Sequence, residues 1–376
     1  MRDENNRTSH LRKARPLRRR MPCLAAAALT LTATVSSVRA VSYYLAVDVP
    51  ATLGGVDYTP AQILRSDGAT YSLAIGLPGG DAQFGALHRR SDGVWLLVSS
   101  TPFLLGVTPV QAHDVVSTPD GVTFSVFFDG TAAGIPGYAG IDSLFLDSGG
   151  ALVLSFDVPV NLGGTEYSQS DLVRYSGGAF SVFWDAEAAG VPADANVVGA
   201  DRDSGGSLVV SFDVPTNLGG TDYLPGQLVR WKGGTTFSNY FADPSWPAYA
   251  QLRGFGFVPA SGAVPDGSGA TTPLAVSLGG GNLTLSWGTS CATADTDYEV
   301  YEGILGQPFV YNHTEKLCTT GAATTATFAT PAGSAYYLVV PKNAVSEGSY
   351  GQASGGTQIP QGTTACLPQQ IASACP

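Results

Sequence analysis

The sequence predicts an all-β protein: a four-bladed β-propeller over residues 41–258, followed by a smaller β-sandwich. Three observations carry that prediction. First, Ser155-Phe156-Asp157-Val158-Pro159-Val160-Asn161-Leu162-Gly163-Gly164-Thr165 returns 56 residues later as Ser211-Phe212-Asp213-Val214-Pro215-Thr216-Asn217-Leu218-Gly219-Gly220-Thr221, and Val47-Asp48-Val49-Pro50-Ala51-Thr52-Leu53-Gly54-Gly55 is a third copy. Second, each full unit holds four short β-rich stretches separated by turn residues, the content of one propeller blade. Third, the ends are offset. The repeats open on second-strand sequence, Tyr43-Tyr44-Leu45-Ala46-Val47-Asp48, and close on an unpartnered first strand, Leu252-Arg253-Gly254-Phe255-Gly256-Phe257. A C-terminal strand that completes the N-terminal blade closes the ring and removes exposed sheet edges.

Residues 1–40 read as a secretory signal peptide. Eight Lys and Arg residues lie in 1–20, an apolar run follows from Leu24 to Val35, and Ser36-Ser37-Val38-Arg39-Ala40 ends it. That order of basic, apolar and small-residue segments predicts cleavage near Ala40 and a secreted or periplasmic product. The apolar run is too short to span a membrane, so no membrane insertion is expected.

Within the repeats the Leu-Gly phrase falls at Leu53, Leu105, Leu162 and Leu218, spaced by 52, 57 and 56 residues. The second copy has lost its Asp-Val-Pro, but Thr123-Phe124-Ser125-Val126-Phe127-Phe128-Asp129 still matches Ala179-Phe180-Ser181-Val182-Phe183-Trp184-Asp185. In the third unit the strands are expected at about 140–146, 151–157, 171–176 and 179–184. Asp147-Ser148-Gly149-Gly150 and Asp203-Ser204-Gly205-Gly206 join first strands to second, with glycines free to take positive φ. These Asp-Val-Pro and Leu-Gly-Gly units resemble those of secreted bacterial β-propeller repeat proteins. The resemblance implies fold and export, and it brings no defined activity.

Pro259 to Pro273 has a linker's composition. A new alternating pattern follows in Asn282-Leu283-Thr284-Leu285-Ser286-Trp287, Asp297 to Gly303, Thr324 to Phe328 and Ala335 to Pro341. Alternation suits strands buried on one face. With a Trp on an early strand and a Tyr pair on a late one, 274–350 resembles a fibronectin type III domain. Residues 351–376 read as a disulfide-pinned tail.

Charge narrows the partners. Of 19 basic and 30 acidic residues, nine and two fall in 1–40, leaving ten against 28 and a net charge of −18. Such a surface repels nucleic acid and anionic membranes. The four cysteines beyond the signal, Cys291, Cys318, Cys366 and Cys375, suit disulfides in an exported chain. Order alone allows three connectivities. Pairing 291 with 318 and 366 with 375 is expected because each closes a local loop. The spacing offers no zinc site.

Chain direction places the loops from second to third strand, and from last strand to next blade, on one rim. That rim carries Asp157, Asn161, Asp185, Asp213, Asn217 and Asp243, the candidate binding residues. Recurrent Asp and Asn are able to ligate Ca²⁺. They also accept backbone hydrogen bonds in turns, and repetition favours that geometric role. Asp201-Arg202-Asp203-Ser204-Gly205 lacks the full Ca²⁺-loop pattern. His88-Arg89-Arg90, an anion-binding candidate, reads as the exposed hairpin of a diverged blade on the opposite rim. Trp184 and Trp231 fall in or beside strands and read as core, while Trp246 is a further aromatic able to stack on a sugar.

No nucleophile-base motif appears, and His88, His113 and His313 stand in different segments. The expectation is a secreted, non-enzymatic binding or display protein without a cofactor, its partner a glycan or a protein. The alternatives are a carbohydrate-active hydrolase or lyase using rim carboxylates, and a Ca²⁺-stabilised structural module.

Overall fold

The computed structural model describes residues 42–77, 83–105, 107–265, 272–306 and 308–372. The expected signal peptide and Cys375 lie outside these residues. The regular structure is almost entirely strand, the one helix among the described residues being the single turn Gly130–Ala133. No described helix is long and apolar enough to cross a membrane.

Four four-stranded sheets follow the repeats. The third unit pairs Ile141–Leu146, Leu152–Phe156, Leu172–Ser176 and Ala179–Trp184 in chain order, all antiparallel. The fourth pairs Val197–Arg202, Leu208–Phe212, Leu228–Trp231 and Phe237–Phe241 in the same way. The degenerate second unit keeps the pattern with Phe84–Arg89, Trp95–Ser99, Val115–Thr118 and Ser125–Phe128. The remaining sheet draws Tyr43–Val47, Gln62–Ser66 and Tyr71–Gly76 from the start and Leu252–Phe257 from far along the chain. Tyr43 stands opposite Phe257, and Val47 opposite Leu252. The offset ends therefore meet.

Apolar side chains explain the packing between sheets. Val98 and Val115 of the second unit pack with Leu144 and Phe156 of the third, and Phe145 and Val153 of the third pack with Ala200 and Val210 of the fourth. Val209 and Leu228 of the fourth meet Tyr43, Leu45 and Phe255, while Tyr44 and Ile63 meet Leu87, Trp95 and Leu97. Strands such as Leu152–Phe156 are buried along their whole length because both faces carry a neighbour. Each fully buried Leu or Phe contributes about 1.5–3 kcal/mol.

The Leu-Gly-Gly phrase has a backbone reason. It turns a short two-stranded ribbon, as between Val160–Leu162 and Thr165–Tyr167. Its glycines take successive positive φ, 60° and 89° at Gly163 and Gly164, and 59° and 87° at Gly219 and Gly220. Two positive φ values in a row fit a type I′ hairpin, which side chains beyond Cα make costly.

Two three-stranded sheets follow: Ala275–Gly279, Asn282–Ser286 and Thr325–Ala329 in one, Thr314–Leu317, Asp297–Ile304 and Ala335–Lys342 in the other. Leu285 and Trp287 share a core with Tyr298, Val300 and Val339. The described part of the linker-like stretch, 259–265, is packed. Ser261 is fully buried, donates its hydroxyl to Pro341 O at 2.9 Å, and bridges to Ile371.

The disulfide pairing differs from the local one expected. Cys318 bonds to Cys366, 48 residues away, and Cys291 is disulfide-bonded elsewhere. The tail lies across the strand Asp297–Ile304, with the Cys366 N–H donated to Tyr301 Oη at 3.0 Å, so tertiary docking rather than loop length selects the partner. Cys366 thus has no part in the expected bridge to Cys375.

Candidate binding rim

The repeated Asp of the Asp-Val-Pro phrase closes a turn. Asp157 Oδ1 accepts Gly140 N–H at 2.7 Å while Gly140 O accepts Asp157 N–H at 3.0 Å, just before the first strand of the same sheet. Asp213 makes the same clasp on Asn196, at 3.1 and 3.2 Å, and Asp48 on Gln251, at 2.7 and 3.4 Å. In the degenerate unit Ser100 keeps the backbone half, donating its N–H to Gln83 O at 2.9 Å.

The other candidates also face backbone. Asp185 Oδ1 accepts Ala188 N–H at 2.8 Å, as Asp129 accepts Ala132 N–H at the short helix. Asn161 and Asn217 accept the N–H of Gly164 and Gly220, each at 3.2 Å, inside their ribbons. Asp203 Oδ1 takes Gly205 N–H and Ser207 N–H, both at 2.9 Å, and its Oδ2 pairs with Arg230 at 2.6 Å. Turn chemistry accounts for these residues. Among the described residues no group of three or more His, Cys, Asp or Glu is arranged to hold a metal ion.

Of the six, Asp213 and Asp243 line one cavity. It measures about 640 Å³ and lies between the loops 224–227 and 242–251, with Gln227, Trp246, Tyr249 and Gln251 in its wall. Its origin is a shortened loop. Counted from the aligned Asp129, Asp185 and Asp243, the segment to the next first strand runs twelve residues in 129–140 and in 185–196, but nine in 243–251. In the longer version Ala186 and Ala189 are buried in the core between sheets. The shorter version lacks that turn and puts Trp246 there instead.

Trp246 is held from two sides. Its indole N–H donates to Ala250 O at 2.7 Å, and a Cβ on Gly226 would stand 2.2 Å from its Cδ1, so only glycine lets the ring lie where it does. Asp243 Oδ2 accepts the Tyr71 hydroxyl at 2.5 Å, and Oδ1 accepts Ser245 N–H and Oγ–H. Burial works to raise the Asp243 carboxyl, but the bonds from Ser245 and Tyr71 hold it below the usual range. It is a carboxylate at neutral pH. Among the described residues no Lys, Arg or His lines the cavity.

Around the rim, Tyr138, Asp194 and Tyr249 take equivalent places two residues after Pro136, Pro192 and Pro247. Tyr138 and Tyr249 are 68% and 66% exposed, which leaves both rings free to meet a ligand. Where the first strands of three sheets approach one another, buried Asp142 accepts Asn196 Nδ2–H at 2.7 Å and stands 3.7 Å from Arg253. Burial pushes its carboxyl up to about 6, against the Asn196 bond and Arg253, with Asp157 and Asp213 adding to the rise.

Sequence reading missed Asp142, Asn196 and Arg253, which no local pattern marks. It also missed the cavity, although the nine-residue loop was countable. His88-Arg89-Arg90 lies at the far end of the first strands. Arg89 stacks on Trp95 at 4.5 Å, Arg90 pairs with Asp92, and His88 Nδ1 is 3.8 Å from Asp201. Trp184 is buried, its ring 6.0 Å from that of Trp231.

Repeated four-stranded sheets with loops gathered on a rim define a propeller-like, all-β repeat protein. No protein-family model matches the chain, and no curated protein does. Among solved structures it is similar to YCF48 bound to a D1 peptide, at 13% identity over 66% of this chain and 76% of that one, with a TM-score of 0.24. A protein of unknown function from Bacteroides caccae matches at 10% identity, 65% and 82% coverage and a TM-score of 0.29. YCF48 from Cyanidioschyzon merolae matches at 10% identity, 81% and 94% coverage and a TM-score of 0.24. Overlaps of this size carry no argument about ligand or activity.

Proposed function

We propose that this is a secreted, non-enzymatic binding protein that holds a neutral glycan in the Trp246–Tyr249 cavity. The scaffold is read as a four-bladed β-propeller followed by a fibronectin type III-like sandwich. The four sheets, each packed on the next, and the pairing of Leu252–Phe257 with Tyr43–Val47 support the first part. The two three-stranded sheets around Trp287 support the second. Export is supported by the basic-apolar-small order of 1–40 and by the Cys318–Cys366 disulfide.

The observation that carries the functional reading is the composition of the cavity wall. Aromatic faces at Trp246 and Tyr249 suit the C–H faces of sugar rings, and Asp213, Gln227 and Gln251 offer acceptors and donors to hydroxyls. With carboxylates and no cation in the wall, an anionic ligand is disfavoured. The volume accommodates a small oligosaccharide.

The test is a glycan array with the secreted chain, followed by calorimetry on the retained sugar. Trp246→Ala is expected to weaken binding at least tenfold, and Tyr138→Ala, outside the cavity, to leave it unchanged. Equal affinity for Trp246→Ala, or retention of acidic glycans alone, sinks the proposal. Release of new reducing ends would assign the hydrolase or lyase alternative instead.

A further inference from the structure

The C-terminal segment 343–372 joins the repeat region to the C-terminal sheets. Ala344 N–H donates to Ser91 O at 3.1 Å, Ser42 N–H to Gln370 Oε1 at 3.1 Å, and the Ser346 hydroxyl to Pro259 O at 2.5 Å. Val345 packs against the core that holds Trp95 and Val258. Glu347 is the hub of this segment. Its backbone bonds to Pro368 and Gln370, and its fully buried side chain turns toward the strand Asp297–Ile304.

There it meets Glu299, also fully buried. Tyr301 Oη lies 2.8 Å from Glu299 Oε2 and 2.7 Å from Glu347 Oε2. One hydroxyl hydrogen cannot serve two carboxylates, so both contacts are hydrogen bonds only when one carboxyl is protonated. The surroundings say which. Glu347 Oε1 also accepts the Tyr350 hydroxyl at 2.7 Å and Gln361 Nε2–H at 2.5 Å, so this carboxyl already serves as acceptor on both oxygens. Among the described residues Glu299 Oε1 has no hydrogen-bond partner; Lys342 Nζ is 3.5 Å away and also bonds to Cys318 O, with Asp297 at 3.8 Å. His313 faces Tyr301 and Tyr350 with ring centroids 6.0 and 5.0 Å apart. The self-consistent chain runs from the Glu299 acid O–H to Tyr301 Oη, and from the Tyr301 O–H to Glu347.

We propose that Glu299, Tyr301 and Glu347 form a proton-operated joint. One shared proton clamps 343–372 between the repeat region and the C-terminal sheets, and its loss sets two buried carboxylates against each other and loosens the segment. Burial, and the facing Glu347, push the Glu299 carboxyl up to about 8, against the bond from Tyr301 and the charge of Lys342. The sign follows. An acid raised in the folded state contributes stability that is fully present below its unfolded value, here 4.5, and lost as pH rises through about 8. The joint is tightest in acid.

Hydrogen exchange on the full secreted chain from pH 5 to 9, corrected for intrinsic rates, tests this. Opening of 343–372 should rise by about tenfold per pH unit between pH 5 and 8 and level off above. Glu299→Gln, whose amide supplies the donor without the charge, should flatten that slope. Glu347→Gln, which removes the facing charge that helps to raise Glu299, is the second variant should Glu299→Gln fail to fold, and it should reduce the slope. Wild-type exchange in 343–372 that ignores pH overturns the proposal, as does an unchanged slope in whichever variant folds.

Discussion

Asp157 and Gly140 hold each other twice, carboxylate to N–H at 2.7 Å and N–H to carbonyl at 3.0 Å, across the mouth of one sheet. The Asp of the repeated phrase makes this clasp at Asp48, Asp157 and Asp213. Asp157→Ala removes the charge-assisted half and should cost about 1–2 kcal/mol in urea unfolding. Asp157→Asn keeps an acceptor and should lose less. Glycan affinity should be unchanged in both, since Asp157 lies outside the cavity.

The cavity's origin in a short loop is open to a direct test. Grafting 185–196 over 243–251 restores the three missing residues and the turn that buries Ala186 and Ala189. Glycan binding should disappear while the melting temperature holds or rises, read by calorimetry and thermal melts.

Asp142 is raised by burial to about 6, so its contribution is fully present below 3.8 and is lost as pH climbs through about 6. Asp142→Asn keeps the acceptor for Asn196 and removes the buried charge. At pH 8 the variant should be more stable than the parent by on the order of 2–3 kcal/mol, and at pH 3 the two should melt together.

Asp297 behaves in the opposite sense. Burial works upward, but bonds from Thr319, Ala322, Tyr298 and Thr320 hold its carboxyl down to about 2. Its contribution is present above 3.8 and is lost as pH falls through about 2. Asp297→Ala should cost about 2 kcal/mol at pH 7 and little at pH 2, in paired denaturant curves.

The Cys318–Cys366 bond closes a 48-residue separation onto the tail. Replacing both cysteines by Ala should lower stability by about 2–4 kcal/mol. Because Cys366 N–H also serves Tyr301, hydrogen exchange should rise first in the tail and not in Leu152–Phe156.

The sequence by itself determined the all-β repeat, its four strands per unit and the offset of its two ends. Those features are local: alternating side chains, turn glycines and a phrase whose Leu-Gly-Gly demands positive φ carry their own geometry. The same phrase drew its Asp and Asn into the candidate site, and the tertiary structure returned them to backbone turns. Only the tertiary structure decided the rest. A cavity arises where a neighbouring loop fails to fill space, so Trp246 and Asp213 become one wall without any shared motif. Asp142 meets Asn196 and Arg253 because the first strands of different sheets converge there. Cys318 finds Cys366, and Glu299 finds Glu347, because a tail folds back over a strand. Contacts between distant segments depend on docking, burial and the removal of water, and spacing along a chain records none of these.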